Sequence, residues 1–233
     1  QGIKSNFIET EGFTRINIKL TTDTETEINS QSSKVNRTNI LDFFSSLDEL
    51  TSEDTVFLSG NIIPGMEDDD FVHIAKKVKE QGANLVVDSN KDMVLHTLKY
   101  HPFIVKPNEF ELGEMFDVHL QSLEDIAIYA KKLQEMGAQN VLVSRGSKGA
   151  ILFTHSGEIF SANIAKGKVV STIAAGDSML AMFVAKYDET KDFPLSLQYA
   201  SAAGGATSFS AGVGKQELIN ELLVQINVEK ISL

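Results

Sequence analysis

Apolar strand-like runs alternate with helix-like stretches along most of this chain, and this alternation constrains the fold more than any other feature. Short continuous apolar runs, typical of strands buried on both faces, occur at 55–58, 85–88, 103–105 and 140–144, and two more, at 150–153 and 158–162, predict a hairpin. Helical spacing of apolar residues is found in the stretches 38–50, 71–78, 123–136, 177–187, 195–209 and 216–226. Buried strands that alternate with helices predict an α/β fold with a largely parallel sheet covered on both faces.

The first thirty residues follow a different pattern. Residues 14–20 alternate polar and apolar side chains, which is typical of a strand with one buried face. We expect Ile16, Ile18 and Leu20 to point inward, and residues 25–29 to return as a partner strand after a polar turn. The chain therefore begins with a small two-stranded sheet.

Composition excludes several classes of protein. The chain of 233 residues is long enough to bury a substantial core, and it contains no cysteine, which excludes disulfide scaffolds, thiolate metal sites and cysteine nucleophiles. Its net charge of −11, without a dense run of Lys and Arg, would repel nucleic-acid phosphates. No segment approaches the roughly 18 consecutive apolar residues that span a bilayer. We expect a cytoplasmic protein that binds neither nucleic acid nor membrane.

The polar residues that follow each strand are the candidates for a site, because parallel sheets bind substrates at the carboxyl ends of their strands. These residues are rich in glycine, amides and hydroxyls, with two cations and two carboxylates: Ser59-Gly60-Asn61, Asp88-Ser89-Asn90, Lys106-Pro107-Asn108, Ser144-Arg145-Gly146 and Ala174-Ala175-Gly176-Asp177. Such an edge favours an anion. The sequence contains neither G-x-x-x-x-G-K-[ST] nor a strand followed by G-x-G-x-x-G, so a nucleotide site must be built differently.

The stretch Ser171 to Met179 is the strongest single candidate. Its small residues allow a helix to begin close to a ligand, where unpaired backbone N–H groups and the helix dipole stabilise negative charge. Asp177, in the first turn, could accept a proton from an attacking hydroxyl group. It could also serve merely as a helix cap, which is the favoured interpretation when this motif is considered alone.

Two further motifs permit two interpretations each. Asn108 and Glu111 lie three residues apart at a helix start, so they could face one hydrated Mg²⁺ ion or form a capping box, and the box is favoured without other context. Lys106, just before them, could bind phosphate or simply be exposed. The segment 144–149 could wrap the phosphates of a nucleotide or be an ordinary tight connection.

The first strand carries a polar stripe. Arg15, Asn17 and Lys19 alternate along one face and could reach a phosphorylated substrate. The usual interpretation of such a stripe is the solvated face of an edge strand, and both interpretations stay open.

Together, in this order and spacing, the motifs resemble those of the ribokinase-like (PfkB) carbohydrate kinases, particularly the branch of 1-phosphofructokinase and tagatose-6-phosphate kinase. The resemblance extends from about residue 8 to about residue 215. Four segments are similar to family motifs: 171–179 to S-T-V-G-A-G-D-S-M, 106–112 to K-P-N-x-x-E-L, 59–65 to S-G-S-L-P-P-G, and 14–19 to the strand of a lid that contacts the sugar phosphate.

The resemblance implies a fold and an activity. The fold would be a three-layer sandwich with a mostly parallel sheet and a small β lid, with lid strands over residues 8–32 and a core that binds nucleotide and sugar phosphate over 33–233. The activity would be ATP- and Mg²⁺-dependent phosphorylation of a hexose phosphate, either fructose 1-phosphate or tagatose 6-phosphate, to the bisphosphate. A homodimer through the lid strands is also expected. Family members carry further strand–helix units upstream, so we expect this chain to lack the N-terminal part of the family.

The resemblance also implies roles for individual residues. Asp177 would be the general base, and the backbone N–H groups of Ala174, Ala175 and Gly176 would form an anion hole for the transferring phosphoryl group. The remaining contacts would come from Lys106, Asn108, Ser144, Gly146 and Ser208 to ATP, from Asn108 and Glu111 to Mg²⁺, and from Arg15, Lys19, Gly60 and Asn61 to the sugar phosphate.

Two departures from the family motifs leave alternatives open. Ala174 replaces the first glycine of G-A-G-D, where a methyl group could be tolerated or could crowd the phosphoryl group. Asn61 stands where serine is usual, so sugar recognition could differ. The alternatives are a kinase for another sugar and a non-catalytic sensor of sugar phosphates or nucleotides on the same fold.

Overall fold

The structure, a computed structural model, describes residues 2–21, 25–30, 32–60 and 62–233. The chain divides into two units, Gln1–Leu85 and Val86–Leu233. The expected division into lid strands over 8–32 and a core over 33–233 stays a prediction. Among the described residues, no helix is long and apolar enough to cross a membrane. The expected cytoplasmic location and the expected lack of nucleic-acid and membrane partners also stay predictions.

Two short strands near the start of the chain form an antiparallel pair in the first unit. Strand β1 spans Asn17–Thr21 and strand β2 spans Glu25–Asn29. Their register places Ile18 opposite Ile28, so the two isoleucines are direct cross-strand neighbours. The predicted two-stranded sheet is therefore present.

The apolar side chains of this sheet are exposed, which contradicts the expectation that they point inward. Ile16, Ile18 and Leu20 are 68%, 47% and 48% exposed. Alternation predicts a strand with an apolar face, but a two-stranded sheet is a single layer and supplies no second layer to cover that face. The strand also begins at Asn17, so Arg15 precedes it.

The described part of the first unit also contains two helices and a strand. Helix α1 spans Arg37–Ser46, strand β3 spans Thr55–Gly60 and helix α2 spans Asp68–Glu80. The two helices pack through aromatic rings, since the ring centroids of Phe44 and His73 lie 4.5 Å apart. The helical spacing in the sequence predicted both helices.

In the second unit, the described residues form six helices and most of the strands of a sheet. Its strands are β4 Asn84–Ser89, β5 Ile104–Val105, β6 Asn140–Ser144, β7 Ala150–Phe153, β8 Ile159–Ala162 and β9 Val228–Ile231, with the first two residues of β4 in the first unit. Its helices are α3 Lys91–Thr97, α4 Glu109–Met115, α5 Leu123–Glu135, α6 Ala175–Thr190, α7 Phe193–Ser208 and α8 Gln216–Leu223.

Strands β4 to β9 lie side by side in chain order, and the sheet is mixed rather than mostly parallel. The neighbours β4, β5 and β6 are parallel, whereas β6, β7, β8 and β9 pair in antiparallel fashion. Connection length explains the difference. Residues 145–149 and 154–158 are too few to cross over between parallel strands, which takes a dozen residues or more. Helices supply the longer crossovers between β4, β5 and β6.

Strand β9 is not predicted by the sequence pattern. We expected a helix through Ile226, but α8 ends at Leu223 and the chain returns to pair with β8, placing Ile231 opposite Ile159. A strand of four residues offers too little alternation to identify it, and its partner lies far away in the sequence.

Helices cover both faces of the sheet, as the three-layer prediction requires. On one face, Val86 and Leu142 belong to a buried cluster that includes Phe183 of α6 and Leu197 of α7. On the other face, α4 and α5 pack against β6. The carboxyl ends of β4, β5 and β6 lie between these layers, and they position the candidate site.

Candidate active site

The carboxyl ends of three parallel strands bring polar side chains of the second unit together. Asp88 lies near the end of β4, Lys106 directly follows β5, and Ser144 ends β6. Asn108 forms a parallel bridge with Ser144, whose N–H group donates to the carbonyl oxygen of Pro107 at 3.1 Å. Residues that are far apart in the sequence thus meet at one edge.

An ion pair with little exposure lies at this edge. Lys106 Nζ is 3.2 Å from Asp88 Oδ2, and the two side chains are 7% and 18% exposed. Burial raises the pKa of Asp88, the Lys106 ammonium opposes that rise, and the carboxylates of Asp177 and Glu111 add to it. Three carboxylates and one ammonium group therefore influence one another at this edge of the sheet.

Asp88 was among the polar strand-end candidates in the sequence, but no role was predicted for it. The sequence shows it only as the polar residue after a buried apolar run, a signal that is shared with many strand ends. Its pairing with Lys106 depends on the parallel alignment of β4 with β5, in which Val87 lies opposite Val105. The sequence signal for Asp88 was an acidic residue at the end of a predicted strand. Its partner, Lys106, is identified only by the fold.

Helix α6 begins within the motif 171–179. Its N-cap residue is Ala174, which makes no side-chain capping hydrogen bond, and Asp177 is an exposed residue of the first turn. Asp177 is therefore not the residue that caps this helix. The simple capping interpretation lacks support, and the exposed carboxylate is available to a ligand.

The ammonium group of Lys106 lies against the first turn of α6. A Cβ atom added at Gly176 would lie 3.1 Å from Lys106 Nζ, so glycine makes this close approach possible. The N–H group of Ala175 donates to the carbonyl oxygen of Thr172 over a long 3.3 Å. A cation and the positive end of a helix dipole thus face the same space, which suits an anion.

Asn108 and Glu111 form the capping box at the start of α4. Asn108 Oδ1 accepts from the Glu111 N–H group at 2.8 Å, and Glu111 Oε2 accepts from the Asn108 N–H group at 2.7 Å. Because each oxygen has more than one lone pair, this capping leaves acceptor capacity for a hydrated cation. No group of three or more His, Asp or Glu side chains is arranged to hold a metal ion by itself in the described part of the chain.

A cavity of about 460 Å³ opens beside this edge. Six of the residues expected to contact ATP or the transferring phosphoryl group line it: Asn108, Ser144, Gly146, Ala175, Gly176 and Ser208. Much of the remaining lining is small or apolar and includes Ala165, Val169, Gly204 and Phe209. The lining is thus mostly small or apolar, with polar side chains that include Asn108, Ser144 and Ser208.

The turn after β6 is held by charged side chains. A 3₁₀ turn spans Gly146–Lys148. Glu109, the first residue of α4, pairs with Arg145 at 2.6 Å and with Lys148 at 3.2 Å. Burial favours a raised pKa for Glu109, but hydrogen bonds and charge from Arg145 and Lys148 outweigh it, so the pKa of Glu109 is lowered. The carboxylate is thus kept ionised across this turn.

The residues expected to bind the sugar phosphate belong to the first unit. Arg15 is exposed, and Gly60 ends β3 with a φ angle of +88°. Lys19 lies in β1, but its side chain is outside the described part, and Asn61 is outside the described residues altogether. Their role in binding the substrate stays a prediction.

Ala174 adopts a backbone conformation that favours glycine. Its φ and ψ angles are +60° and +8°, in the left-handed region. We expect Ala174→Gly to raise the free energy of unfolding by about 0.5 to 1 kcal/mol, because relief of the left-handed strain exceeds the added freedom of the unfolded chain. Thermal unfolding measures this as a rise in Tm of about 1 to 4 °C.

Ala185→Gly is the matched control for that experiment. Ala185 is an exposed residue in the middle of the same helix, so the same substitution there should lower the free energy of unfolding by about 1 kcal/mol. Equal losses at positions 174 and 185 would show that the conformation of Ala174 is not strained.

Comparisons with known proteins agree with this architecture. The model of the pfkB family of carbohydrate kinases matches residues 1–218. The chain is 36% identical to 1-phosphofructokinase of Bacillus subtilis, over 99% of this chain and 76% of that protein. It is 34% identical to D-tagatose-1-phosphate kinase of Bacillus licheniformis, over 97% and 74%. A crystal structure from Staphylococcus aureus, assigned as a phosphofructokinase, superposes with a TM-score of 0.88 at 35% identity, over 99% and 75%.

The fold and these relatives define an α/β phosphotransferase that acts on an alcohol group, with a sugar phosphate as its class of substrate. The chain belongs to the PfkB family of carbohydrate kinases. The ribokinase-like α/β fold that the sequence motifs implied is confirmed. Kinases of this family use ATP. The chain is shorter than these relatives, as expected from the motif order.

Proposed function

We propose that this kinase transfers the γ-phosphoryl group of ATP to a hydroxyl group of a phosphorylated ketohexose. The observation that supports this most is the position of the Lys106 ammonium group against the first turn of α6. Lys106 and Asp177 both act on the charge of Asp88, so the ammonium group and the proposed general base belong to one group of interacting charges. A fixed cation and a helix N-terminus stabilise the charge on a transferring phosphoryl group more than they stabilise an uncharged ligand.

In the proposed reaction, the sugar hydroxyl oxygen forms a bond to the γ-phosphorus while the bond from that phosphorus to the bridging oxygen of ADP breaks. Asp177 accepts the hydroxyl proton, and ADP leaves with the electron pair of the broken bond. Lys106 and the N–H groups of Ala174, Ala175 and Gly176 stabilise the phosphoryl oxygens. The long hydrogen bond of the Ala175 N–H group is weak enough to be exchanged for one to the substrate.

We propose that Asn108 and Glu111, together with Asp88, hold Mg²⁺ largely through its water molecules. The oxygen donors fit the preference of Mg²⁺ for one or two carboxylates plus phosphate oxygens. Burial is the main cause of the raised pKa of Asp88, and the neighbouring carboxylates of Asp177 and Glu111 add to it. A divalent cation relieves the repulsion among these carboxylates. When bound, Mg²⁺ neutralises charge on the phosphate oxygens.

The nucleotide would occupy the cavity of about 460 Å³. We assign its phosphates to the part near Ser144, Gly146 and the start of α6, and its base to the part near Phe209, with Ser208 beside it. A planar base suits a cavity with a mostly apolar lining and a few polar groups.

The substrate would be a ketohexose that already carries a phosphate group. The relatives named 1-phosphofructokinase and D-tagatose-1-phosphate kinase favour fructose 1-phosphate or tagatose 1-phosphate, and tagatose 6-phosphate is a further candidate. Arg15, Lys19, Gly60 and Asn61 would bind the sugar phosphate. A panel of these three phosphorylated sugars, with unphosphorylated fructose as the control, tests the proposal. ATP turnover should require a phosphorylated sugar, and equal turnover with fructose would contradict it.

Arg15→Ala tests the phosphate contact. Loss of a charge-assisted hydrogen bond should raise the KM for the sugar phosphate about tenfold, while the KM for ATP stays unchanged. Lys34→Ala, which removes another exposed cation of the first unit, should change neither constant. An unchanged KM for the sugar phosphate in the Arg15 variant would remove Arg15 from the site.

The exposed apolar face of the lid strands supports a homodimer through these strands. Ile18 and Ile28, neighbours across the strands, are 47% and 52% exposed, and a sheet face of this kind is buried when it meets a copy of itself. We expect a mass in solution twice the 25.5 kDa of one chain, and Ile18→Glu should halve it. Ile128→Glu, at an exposed apolar residue of α5, should leave the mass unchanged.

A further inference from the structure

We propose that Glu109 is a positioning residue that holds the turn Gly146–Lys148 in its nucleotide-binding arrangement before a nucleotide arrives. The inference rests on the proposed function, because it assigns the phosphates of the nucleotide to the cavity beside this turn. It concerns a residue that does not itself touch the nucleotide.

The carboxylate of Glu109 joins both ends of the turn to α4. Glu109 Oε1 accepts from Arg145 Nε at 2.6 Å, and Glu109 Oε2 accepts from Lys148 Nζ at 3.2 Å. Arg145 comes immediately before the turn and Lys148 is its last residue. Since Glu109 is the first residue of α4, these two hydrogen bonds connect the turn to the helix that Asn108 caps.

The pair of Arg145 with Glu109 is more buried than an ordinary surface ion pair, whereas Lys148 is 64% exposed and makes the weaker of the two contacts. Arg145 and Glu109 have side chains that are 14% and 28% exposed. Charge-assisted hydrogen bonds with this much shielding are short and strong. By contrast, Lys230 and Glu158 form a 2.8 Å pair with side chains 64% and 39% exposed, and pairs of that kind contribute little.

The turn has a backbone that needs such support. Gly146 and Gly149 have φ angles of +54° and +90°, so glycines with wide conformational freedom bound it. Its internal support includes a hydrogen bond from the Arg145 N–H group to the Gly149 carbonyl oxygen at 2.8 Å. A carboxylate that binds both ends reduces the number of arrangements that this turn can adopt.

The residues next to the cluster, not the cluster itself, line the cavity. Asn108, Ser144, Gly146 and Ser147 are lining residues, whereas Glu109 with its two partners is not among the described residues that line it. Glu109 therefore acts through its neighbours. If it orders the turn in advance, the nucleotide spends less of its binding free energy on ordering the turn.

Two variants test this inference, Glu109→Gln and Arg145→Met, with Glu158→Gln as the matched control for loss of a carboxylate. Calorimetry with ADP should show a Kd about fivefold higher in each test variant and an unchanged Kd in the control. The double variant should bind ADP no more weakly than either single variant, because both remove the same interaction. In turnover assays, the KM for ATP should rise while the KM for the sugar phosphate stays the same.

Hydrogen exchange on the free protein gives an independent measurement. Amides of residues 146–149 should exchange faster in Glu109→Gln than in the original chain, with no change in the control. Unchanged exchange there, or an unchanged Kd in a chain that does bind ADP, overturns the inference. If the original chain binds no nucleotide at all, the proposed function fails, and the exchange rates alone decide whether Glu109 orders the turn.

Discussion

Asp177→Asn should lower kcat about a thousandfold while leaving the Kd for ATP nearly unchanged. Asparagine keeps the size of the side chain but cannot accept the proton of the sugar hydroxyl group at neutral pH. Asp177 is exposed and does not cap α6, so its replacement should have little effect on stability. Steady-state kinetics and calorimetry on the same preparations measure both quantities.

The same helix supplies the control for this substitution. Asp188, near the other end of α6, forms an exposed ion pair with Lys191 at 2.8 Å. Asp188→Asn should therefore leave kcat within about twofold. A fall in kcat of less than about tenfold in the Asp177 variant would exclude Asp177 as the general base. A chain with no turnover before substitution would instead fit a sensor.

Lys106→Met should damage both activity and stability. Removing the ammonium group takes away a fixed positive charge from the site of phosphoryl transfer, and we expect kcat to fall about 100- to 1000-fold. It also leaves the carboxylate of Asp88 buried without its partner, which should lower the free energy of unfolding by about 3 kcal/mol. Thermal unfolding should show a Tm lower by about 6 to 12 °C.

A second substitution separates these two effects. Asp88→Asn in the Lys106→Met background removes the unpaired charge, so the double variant should regain much of the lost stability without regaining activity. Lys230→Met, which breaks an exposed ion pair, should change the free energy of unfolding by less than about 1 kcal/mol. A fully stable Lys106 single variant would show that the pair with Asp88 contributes nothing to the fold.

Much of the candidate site could be predicted because its residues lie in short local motifs. Asp177 and the glycine before it follow one another directly, and Asn108 and Glu111 are separated by two residues. The helix starts that these motifs predict are present, and the capping box that the second motif allows is formed. Local spacing sufficed here because capping and first-turn geometry depend on residues within a few positions of one another.

Predictions that needed a tertiary partner succeeded less often. Alternation identified the lid strands, but Ile18 and Leu20 are exposed because no local pattern states what covers a strand face. The predicted hairpin of β7 and β8 is present, but the sheet is mixed rather than mostly parallel, because β7 also pairs antiparallel with β6 and β9 with β8. The conformation of Ala174 was also beyond the sequence, which shows the substitution but not the φ angle.

The sequence by itself determined the α/β alternation, the helix starts and the family motifs, since periodicity and capping act within one element at a time. Only the tertiary structure decided that Asp88 pairs with Lys106, that Lys106 lies against Gly176, and that Glu109 pairs with Arg145 and Lys148. These contacts join residues on different strands and helices. Their formation depends on the alignment of parallel strands and the packing of helices on the sheet, which no single segment specifies.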